Sequence, residues 1–307
     1  MVKRKVIIDT DPGYDDACAI ALASITDKFE ILGITTIAGN QTIENVTKNA
    51  LNLKSYLNMK CPVAKGMSGP LLKKLTVGKV HGETGLDNIK FTENKEEQDK
   101  RNAVQFIIDI CLQNDKITLI TIGPLTNIAL AIKLEPKIKE HIELISIMGG
   151  SIGCGNVTPA AEYNIYADPD SAYIVFSSGI PLKMNGLDVT NLTVPNEEIM
   201  ERFSKINTKS SKLFIDCMKN LTFYMNKFFG KKVGSMHDSV AVLTLIDESI
   251  VKYRKAVVEV DISRGSSYGR TNCNIYDPKA QESNIEVAVE IDIKKFWDVI
   301  EELYKKY

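Results

Sequence analysis

The sequence predicts an α/β protein: a single domain over residues 1–307, built on a mostly parallel open sheet with helices on both faces. Two observations carry this reading. Strand-like and helix-like stretches alternate along the chain, the pattern of a parallel sheet covered on both sides. Polar clusters follow strand after strand, at residues 9–16, 40, 123–127 and 149–156. That gathers them at the carboxyl rim of the sheet, where such folds bind ligands.

The elements follow in order. The run Lys5-Val6-Ile7-Ile8 contains the first strand, over 6–8. A helix over 17–25 has Asp15 and Asp16 near its N-terminus, where negative charge meets the positive end of the helix dipole. Residues 29–37 form a second strand, ending at Gly39-Asn40, before a helix over 43–57 and a short strand over 61–64. A charged stretch over 93–101 leads into a helix over 103–113. The strand over 117–122 stops at Gly123-Pro124, and a helix over 125–133 follows. The strand over 142–148 stops at Gly149-Gly150. Next come a helix over 168–178, a strand over 182–185, and helices over 196–203, 210–221 and 239–246. A sheet segment over 256–262, a strand over 285–292 and a helix over 294–306 close the chain. No repeat or low-complexity linker divides it, and residues 190–236 form a helical excursion.

Composition excludes some partners. The net charge of −1 gives no general attraction to nucleic acid or to an anionic membrane. No apolar run approaches the roughly 20 residues that span a bilayer. The basic start, Met1 to Lys5, lacks the apolar stretch of a signal peptide. Six scattered cysteines without CxxC pairs read as reduced residues of a cytoplasmic protein.

The densest signal is Asp9-Thr10-Asp11-Pro12-Gly13-Tyr14-Asp15-Asp16, four carboxylates in eight residues at the end of a buried strand. Like charges this close repel. A helix cap and a surface turn account for one or two acids, not four. A divalent cation neutralises the set, and oxygen ligands suit hard ions such as Ca²⁺ or Mg²⁺. An Asp-x-Asp phosphatase loop is a rival, but Gly13 stands where Thr or Val is usual there, and Asp15-Asp16 is left over. The Gly149–Gly155 run lacks GxGxxG spacing and reads as an active-site rim.

The chain has three histidines. His141 lies in a charged stretch and reads as a surface residue. His81 lies in the glycine-rich His81-Gly82-Glu83-Thr84-Gly85. His237 precedes Asp238 at the head of a helix; alone it caps that helix or pairs with Asp238, and beside a metal site it is an acid or a leaving-group contact. The loop from Asn156 to Asn164, with Glu162, combines donors and acceptors suited to hydroxyl groups; alone it is also ordinary turn chemistry.

Together these motifs resemble the nucleoside hydrolase family, the inosine–uridine-preferring ribohydrolases. The resemblance runs over nearly the whole chain, through the Asp9–Asp16 motif, Ala38-Gly39-Asn40, His81-Gly82-Glu83-Thr84-Gly85, Gly123-Pro124-Leu125-Thr126-Asn127, Met148-Gly149-Gly150, Glu162-Tyr163-Asn164 and His237-Asp238. It implies a nucleoside hydrolase-like, Rossmann-like fold and a soluble homo-oligomer, dimer or tetramer. It implies Ca²⁺-dependent hydrolysis of a small-molecule ribonucleoside to free base and ribose. The Ca²⁺ would be held by Asp11, Asp16, Asp238 and the backbone carbonyl of Ile122. Asp11 would be the general base for an attacking water positioned by the ion. Asp15 and Asn164 would hold ribose hydroxyls and favour a cationic sugar, with Asn156, Glu162 and Met148 around the 5′ side. Asn40 would order the acids, His237 would assist the departing base, and His81 would line its pocket. Tyr224 and Phe228, in the excursion that closes over the base in relatives, would stack on or shield it, unless they simply pack the helix. Tyr14 occupies a variable place and receives no role. Purine-specific relatives stack the base on tryptophans, whereas the one Trp here, Trp297, lies far from the motifs; with His81 and His237 in place, the chain looks more like the pyrimidine-preferring or broad-specificity branch (uridine, inosine, cytidine). Beside this enzyme stand two rivals, the phosphatase and a non-catalytic Ca²⁺-dependent nucleoside-binding protein on the same site.

Overall fold

A computed structural model describes residues 2–93 and 95–306; Asn94, in the charged stretch over 93–101, and the two terminal residues lie outside them. The strands are β1 (Arg4–Thr10), β2 (Phe29–Thr36), β3 (Val63–Lys65), β4 (Ile117–Thr121), β5 (Ile142–Met148), β6 (Leu182–Asn185), β7 (Val251–Lys255), β8 (Val257–Val260), β9 (Thr271–Asn274) and β10 (Ile285–Ile291). The helices are α1 (Tyr14–Ile25), α2 (Ile43–Tyr56), α3 (Ala103–Gln113), α4 (Thr126–Leu134), α5 (Tyr163–Ala167), α6 (Pro169–Phe176), α7 (Leu187–Thr190), α8 (Glu197–Ser204), α9 (Lys209–Phe229), α10 (Ser239–Ile246) and α11 (Ile293–Tyr304).

Eight strands form one sheet in the order β3-β2-β1-β4-β5-β6-β10-β7, and β8 and β9 pair separately. Every neighbour in the large sheet is parallel except β7, which runs antiparallel to β10 at the edge. The chain winds from β1 outward through β2 and β3, then returns to add β4 on the other side of β1. That reversal opens a crevice between the carboxyl ends of β1 and β4. One apolar core lies between the sheet and α1, α9, α10 and α11; another lies beneath α3, α4 and α6. Helix α1 is buried from Tyr14 through Ala23, because α9, α10 and α11 cover the face the sheet does not. Its apolar residues accordingly run all round rather than along one stripe.

The expected α/β architecture is present. The differences have local causes. The sheet segment expected over 256–262 is the strand β8, which pairs with β9 outside the main sheet; the edge strand β7, just before buried Ala256, was not expected. The lysines and arginine of Val251–Lys255 are the charge an edge strand carries to discourage pairing. Helix α9 runs eight residues past the expected end at Leu221 and stops at Gly230, whose φ of 65° is the left-handed conformation of a helix terminus. Helix α5 falls in a stretch read as loop, since Glu162 and Asn164 look like turn residues; Glu162 is in fact the N-cap. No helix among the described residues is long and apolar enough to cross a membrane. All six cysteines are free.

Candidate active site

The acids leave the end of β1 and enter α1 within a few residues. Asp11 is fully buried beyond β1, where its Oδ2 accepts the Asn40 backbone N–H at 2.6 Å. Asp16, in the first turn of α1, accepts the Thr10 hydroxyl at 2.6 Å, the Gly13 N–H at 3.0 Å and the Asn40 side-chain amide at 3.0 Å. Asn40 thus ties the two acids together from the turn after β2. Close approach is possible because a Cβ on Gly39 would meet Asp11 Oδ2 at 2.2 Å, and one on Gly123 would meet Asp11 Oδ1 at 2.7 Å. Asp238 enters from the other half of the chain, as the residue before α10.

Among the described residues, Asp15, Asp16 and Asp238 bring one carboxylate oxygen each within 4.8 Å of one another. The sequence reading had put Asp11 in that trio and Asp15 with the sugar. Asp11 stands beside it with Oδ1 buried and without a hydrogen-bond partner, against the residue that follows Ile122. Burial, together with the neighbouring carboxylates, raises the Asp11 and Asp238 pKa values well above the ordinary range. Burial, aided by Asp16, lifts Asp15 to about 8. A divalent cation fits these observations: hard oxygen donors, an unpaired buried carboxylate oxygen, and a set of acids too crowded to ionise alone.

Asp9, counted with the cluster on sequence, has a different place. Its Oδ1 accepts the Thr35 hydroxyl at 2.5 Å and the Asn127 amide at 2.8 Å. Asn127 also donates to the Thr36 carbonyl and accepts from Met67, so Asp9 joins β1 to β2 and α4 behind the site.

Asp15 and Asp238 floor a cavity of about 440 Å³, whose lining does not include Asp11 or Asp16. Asp15, Asn40, His81, Ile122, Met148, Asn156, Glu162, Asn164, His237 and Asp238 all line it, although they come from seven separated stretches. Asn164 donates to the carbonyls of Ile122 and Met148 at 3.2 and 3.0 Å. Glu162 is held by three backbone amides, those of Asn164, Ile165 and Gly150, and burial lifts it to about 7. Asn156 accepts the Tyr163 N–H at 3.0 Å.

His81 is buried and His237 half-buried, and both are neutral at pH 7. Burial lowers His81 to about 3, with the charge of His237 adding to it, and lowers His237 to about 4, with Lys231 adding. His81 Nδ1 accepts the Tyr14 N–H at 3.1 Å, which leaves the ring proton on Nε2, 4.0 Å from Asp15 Oδ1. His237 Nδ1 is 2.8 Å from the Thr190 hydroxyl. His141 pairs with Asp115, away from the cavity.

Tyr224 and Phe228 do not line the cavity. They sit on the flank of α9, where Tyr224 donates to Asp87 at 3.0 Å and stacks between Tyr14 and Phe228. Leu221, Met225 and Phe229, spaced at i, i+4 and i+8, carry the inner face. The sequence reading chose the right helix and missed its rotation, because the helical period beyond Leu221 was not followed. It also missed residues 76–80 and Tyr163, whose hydroxyl donates to the Thr76 carbonyl at 3.0 Å. Tyr14, given no role, is wholly buried against His81.

Comparison with known proteins agrees with this geometry. Residues 6–298 match the family model described as inosine-uridine preferring nucleoside hydrolase. The chain is 40% identical over 309 aligned positions to a protein of Shigella flexneri named pyrimidine-specific ribonucleoside hydrolase RihB, covering 100% of this chain and 99% of that one. Among solved structures, a plant nucleoside hydrolase, the PpNRh1 enzyme, superposes with a TM-score of 0.91 at 29% identity, covering 99% of each chain. A purine-preferring ribonucleoside hydrolase from Gardnerella vaginalis superposes with a TM-score of 0.90 at 32% identity, covering 98% of this chain and 99% of that one.

Proposed function

We propose a substrate and a mechanism from one premise: the chain belongs to the inosine-uridine preferring nucleoside hydrolase family. It is a ribonucleoside hydrolase, an enzyme of N-glycosidic bonds. The proposed reaction is Ca²⁺-dependent release of free base and ribose, with pyrimidine ribonucleosides preferred or a broad range accepted. The 40% identity to a protein named pyrimidine-specific supports that preference. So does the position of Trp297, which packs on Phe203, Phe214 and Phe296 in the core and offers no stacking surface to a purine.

One observation carries the mechanism: a single cavity is lined by Asp15 and Asp238 of the crowded acid cluster, by two neutral imidazoles beside those acids, and by apolar side chains of α9. The residues that would hold Ca²⁺ are Asp11, Asp16, Asp238 and the Ile122 carbonyl, with Asp15 beside them. Bound there, the ion supplies positive charge that ionises the acids and makes a nearby water more acidic. Asp11 takes the proton of the attacking water. Asp15 and Asn164 hold ribose hydroxyls, and the Asp15 charge favours the positive sugar that forms as the C–N bond stretches. Asn156, Glu162 and Met148 stand around the 5′ side. His237, with His81 beside it, donates to the departing base.

The test is a product balance. Uridine, inosine and uridine 5′-phosphate are incubated with the enzyme, with enzyme treated with a chelator, and with the treated enzyme resupplied with Ca²⁺. The expected result is base and ribose in equal amounts from the nucleosides, lost on chelation and restored by Ca²⁺. Phosphate release without base indicates a phosphatase instead, and tight binding without turnover indicates a sensor. Full activity after removal of all divalent ions overturns the Ca²⁺ assignment.

A further inference from the structure

The turn that follows His81 is bonded to two other elements through a single residue. Asp87 Oδ1 accepts the Thr84 N–H at 2.9 Å and the Thr84 hydroxyl at 2.5 Å, and Oδ2 accepts the Glu83 N–H at 2.7 Å. Gly82 adopts a φ of 71°, and a Cβ there would lie 2.2 Å from Asp87 Oδ2, so this turn needs glycine. Asp87 then reaches outward. Its Oδ2 accepts the Tyr224 hydroxyl from α9 at 3.0 Å, and its carbonyl accepts the Tyr14 hydroxyl at 3.1 Å. Tyr14 is the first residue of α1 and is itself bonded to His81 through its backbone N–H. The Tyr14 and Tyr224 rings stack with centroids 6.2 Å apart. One turn earlier on α9, Asn220 Oδ1 accepts the side-chain amide of Asn88 at 2.9 Å.

These bonds grip α9 on its flank. The adjoining face of the same helix presents Leu221, Met225 and Phe229 to the cavity. A helix is stiff, so the side that is gripped sets where the inner face stands.

We propose that Asp87 is a positioning residue for the nucleobase: it straps α9 to the His81 turn and to the head of α1, and so fixes the wall against which the base lies. The proposal rests on the nucleoside hydrolase reading. It gives Tyr224 the role of a strap, in place of a ring that stacks on the base.

Tyr224→Phe separates the two roles, since it keeps the ring and removes only the bond to Asp87. A hydrogen bond to a carboxylate contributes more than a neutral one, and this pair is partly exposed, so KM for uridine should rise about 5- to 10-fold. The value of kcat should stay within about 2-fold, because no contact made only in the transition state is lost. Competitive inhibition by ribose, which does not extend to α9, should not change. Asp87→Ala should raise KM at least as much, and adding Tyr224→Phe to it should bring no further rise, as for two ends of one interaction. Trypsin cleavage after Lys227, near the end of α9, gives a second reading that needs no turnover: Tyr224→Phe should speed it. Wild-type KM and cleavage in Tyr224→Phe, or fully additive effects of the two substitutions, overturn the strap. If the wild-type enzyme releases no base from any nucleoside, the hydrolase reading fails instead, and the cleavage rates still decide the strap.

Discussion

The floor of the cavity and its outer end are made differently. At the floor, Asp11 and Ile122 lie just past the ends of β1 and β4, and hydrogen bonds from Asn40 and Thr10 fix the carboxylates. The acids there are buried; the places of Asp11 and Ile122 follow from the register of the central strands, those of Asp15 and Asp16 from the first turn of α1, and that of Asp238 from the head of α10. The outer end is formed by residues 76–81 and by the last turns of α9, where Phe229 is 57% exposed. It stands on a loop and a helix terminus that the sheet does not constrain. The contrast shows which part of such a site can change. The floor stands on strand ends that the sheet holds in place, whereas the outer wall can be rebuilt over the same floor. Relatives named pyrimidine-specific and purine-preferring both resemble this chain over nearly its full length, in keeping with that division.

The largest effect should come from breaking the floor. Asp11→Ala removes both the proposed base and a proposed ion ligand, and general base catalysis alone is typically worth about 10²–10⁴-fold. A loss in kcat/KM for uridine of about 10⁴-fold or more is expected. Stability should hold or rise, because the substitution removes one of several mutually repelling buried carboxylates. Thermal melting beside the kinetics checks this. A large fall in Tm would make Asp11 a structural residue and erase the contrast between the two ends.

Beside the floor acid Asp238, His237→Ala should cost about 10²–10⁴-fold with uridine, the range for a group that assists a leaving base. With p-nitrophenyl riboside, whose leaving group departs unaided, the loss should be far smaller. Equal loss on both substrates would assign His237 to holding Thr190 and the segment around it. Comparing the two ratios sharpens the contrast, because Asp11→Ala should impair both substrates alike.

The same contrast explains what could be read from sequence. The floor was legible because strand ends place consecutive residues predictably: Asp11, Asp15, Asp16, Asn40 and Ile122 all lie where the alternation of elements puts them. Asp238 and His237 were legible as a pair at a helix start. Within the acid run, however, sequence could not separate Asp9, which bonds to Thr35 and Asn127 behind the site, from acids facing the cavity. That depends on strand facing and on partners 26 and 118 residues away. The outer wall was less legible. Its side chains depend on the rotation of α9, and one residue along a helix turns the face by about 100°. Tyr224 and Phe228 fell on the flank for that reason. Tyr14 was missed because its partner, Asp87, is 73 residues away in an irregular turn.

The smallest expected effect is on stability, and there the acids and the imidazoles oppose each other. Asp15 has an ordinary pKa of 3.8 and is raised to about 8 in the folded protein, chiefly by burial, with Asp11 and Asp238 raised in the same direction. Between those values the unfolded chain has lost protons that the native state keeps, so the acids make stability fall as pH rises toward 8. The histidines act the other way. Their ordinary pKa of 6.5 is lowered to about 3 at His81 and about 4 at His237, chiefly by burial. Below 6.5 the unfolded chain gains protons that the native state refuses, so stability falls as pH drops toward 4. A cation at the floor favours the ionised acids and should relieve only the loss on the alkaline side. With Ca²⁺ at about 100 times its Kd, Tm should rise by about 5 °C at pH 8. At pH 5 the ion must displace protons from the acids, and the rise should be small. The decline below pH 6 should persist with Ca²⁺ present, since it arises at the imidazoles. Scanning calorimetry at pH 5, 6.5 and 8, with and without the ion, reads both arms. Equal Ca²⁺ shifts at pH 5 and pH 8 would mean that the floor acids are already ionised without it, and the opposition between acids and imidazoles would be lost.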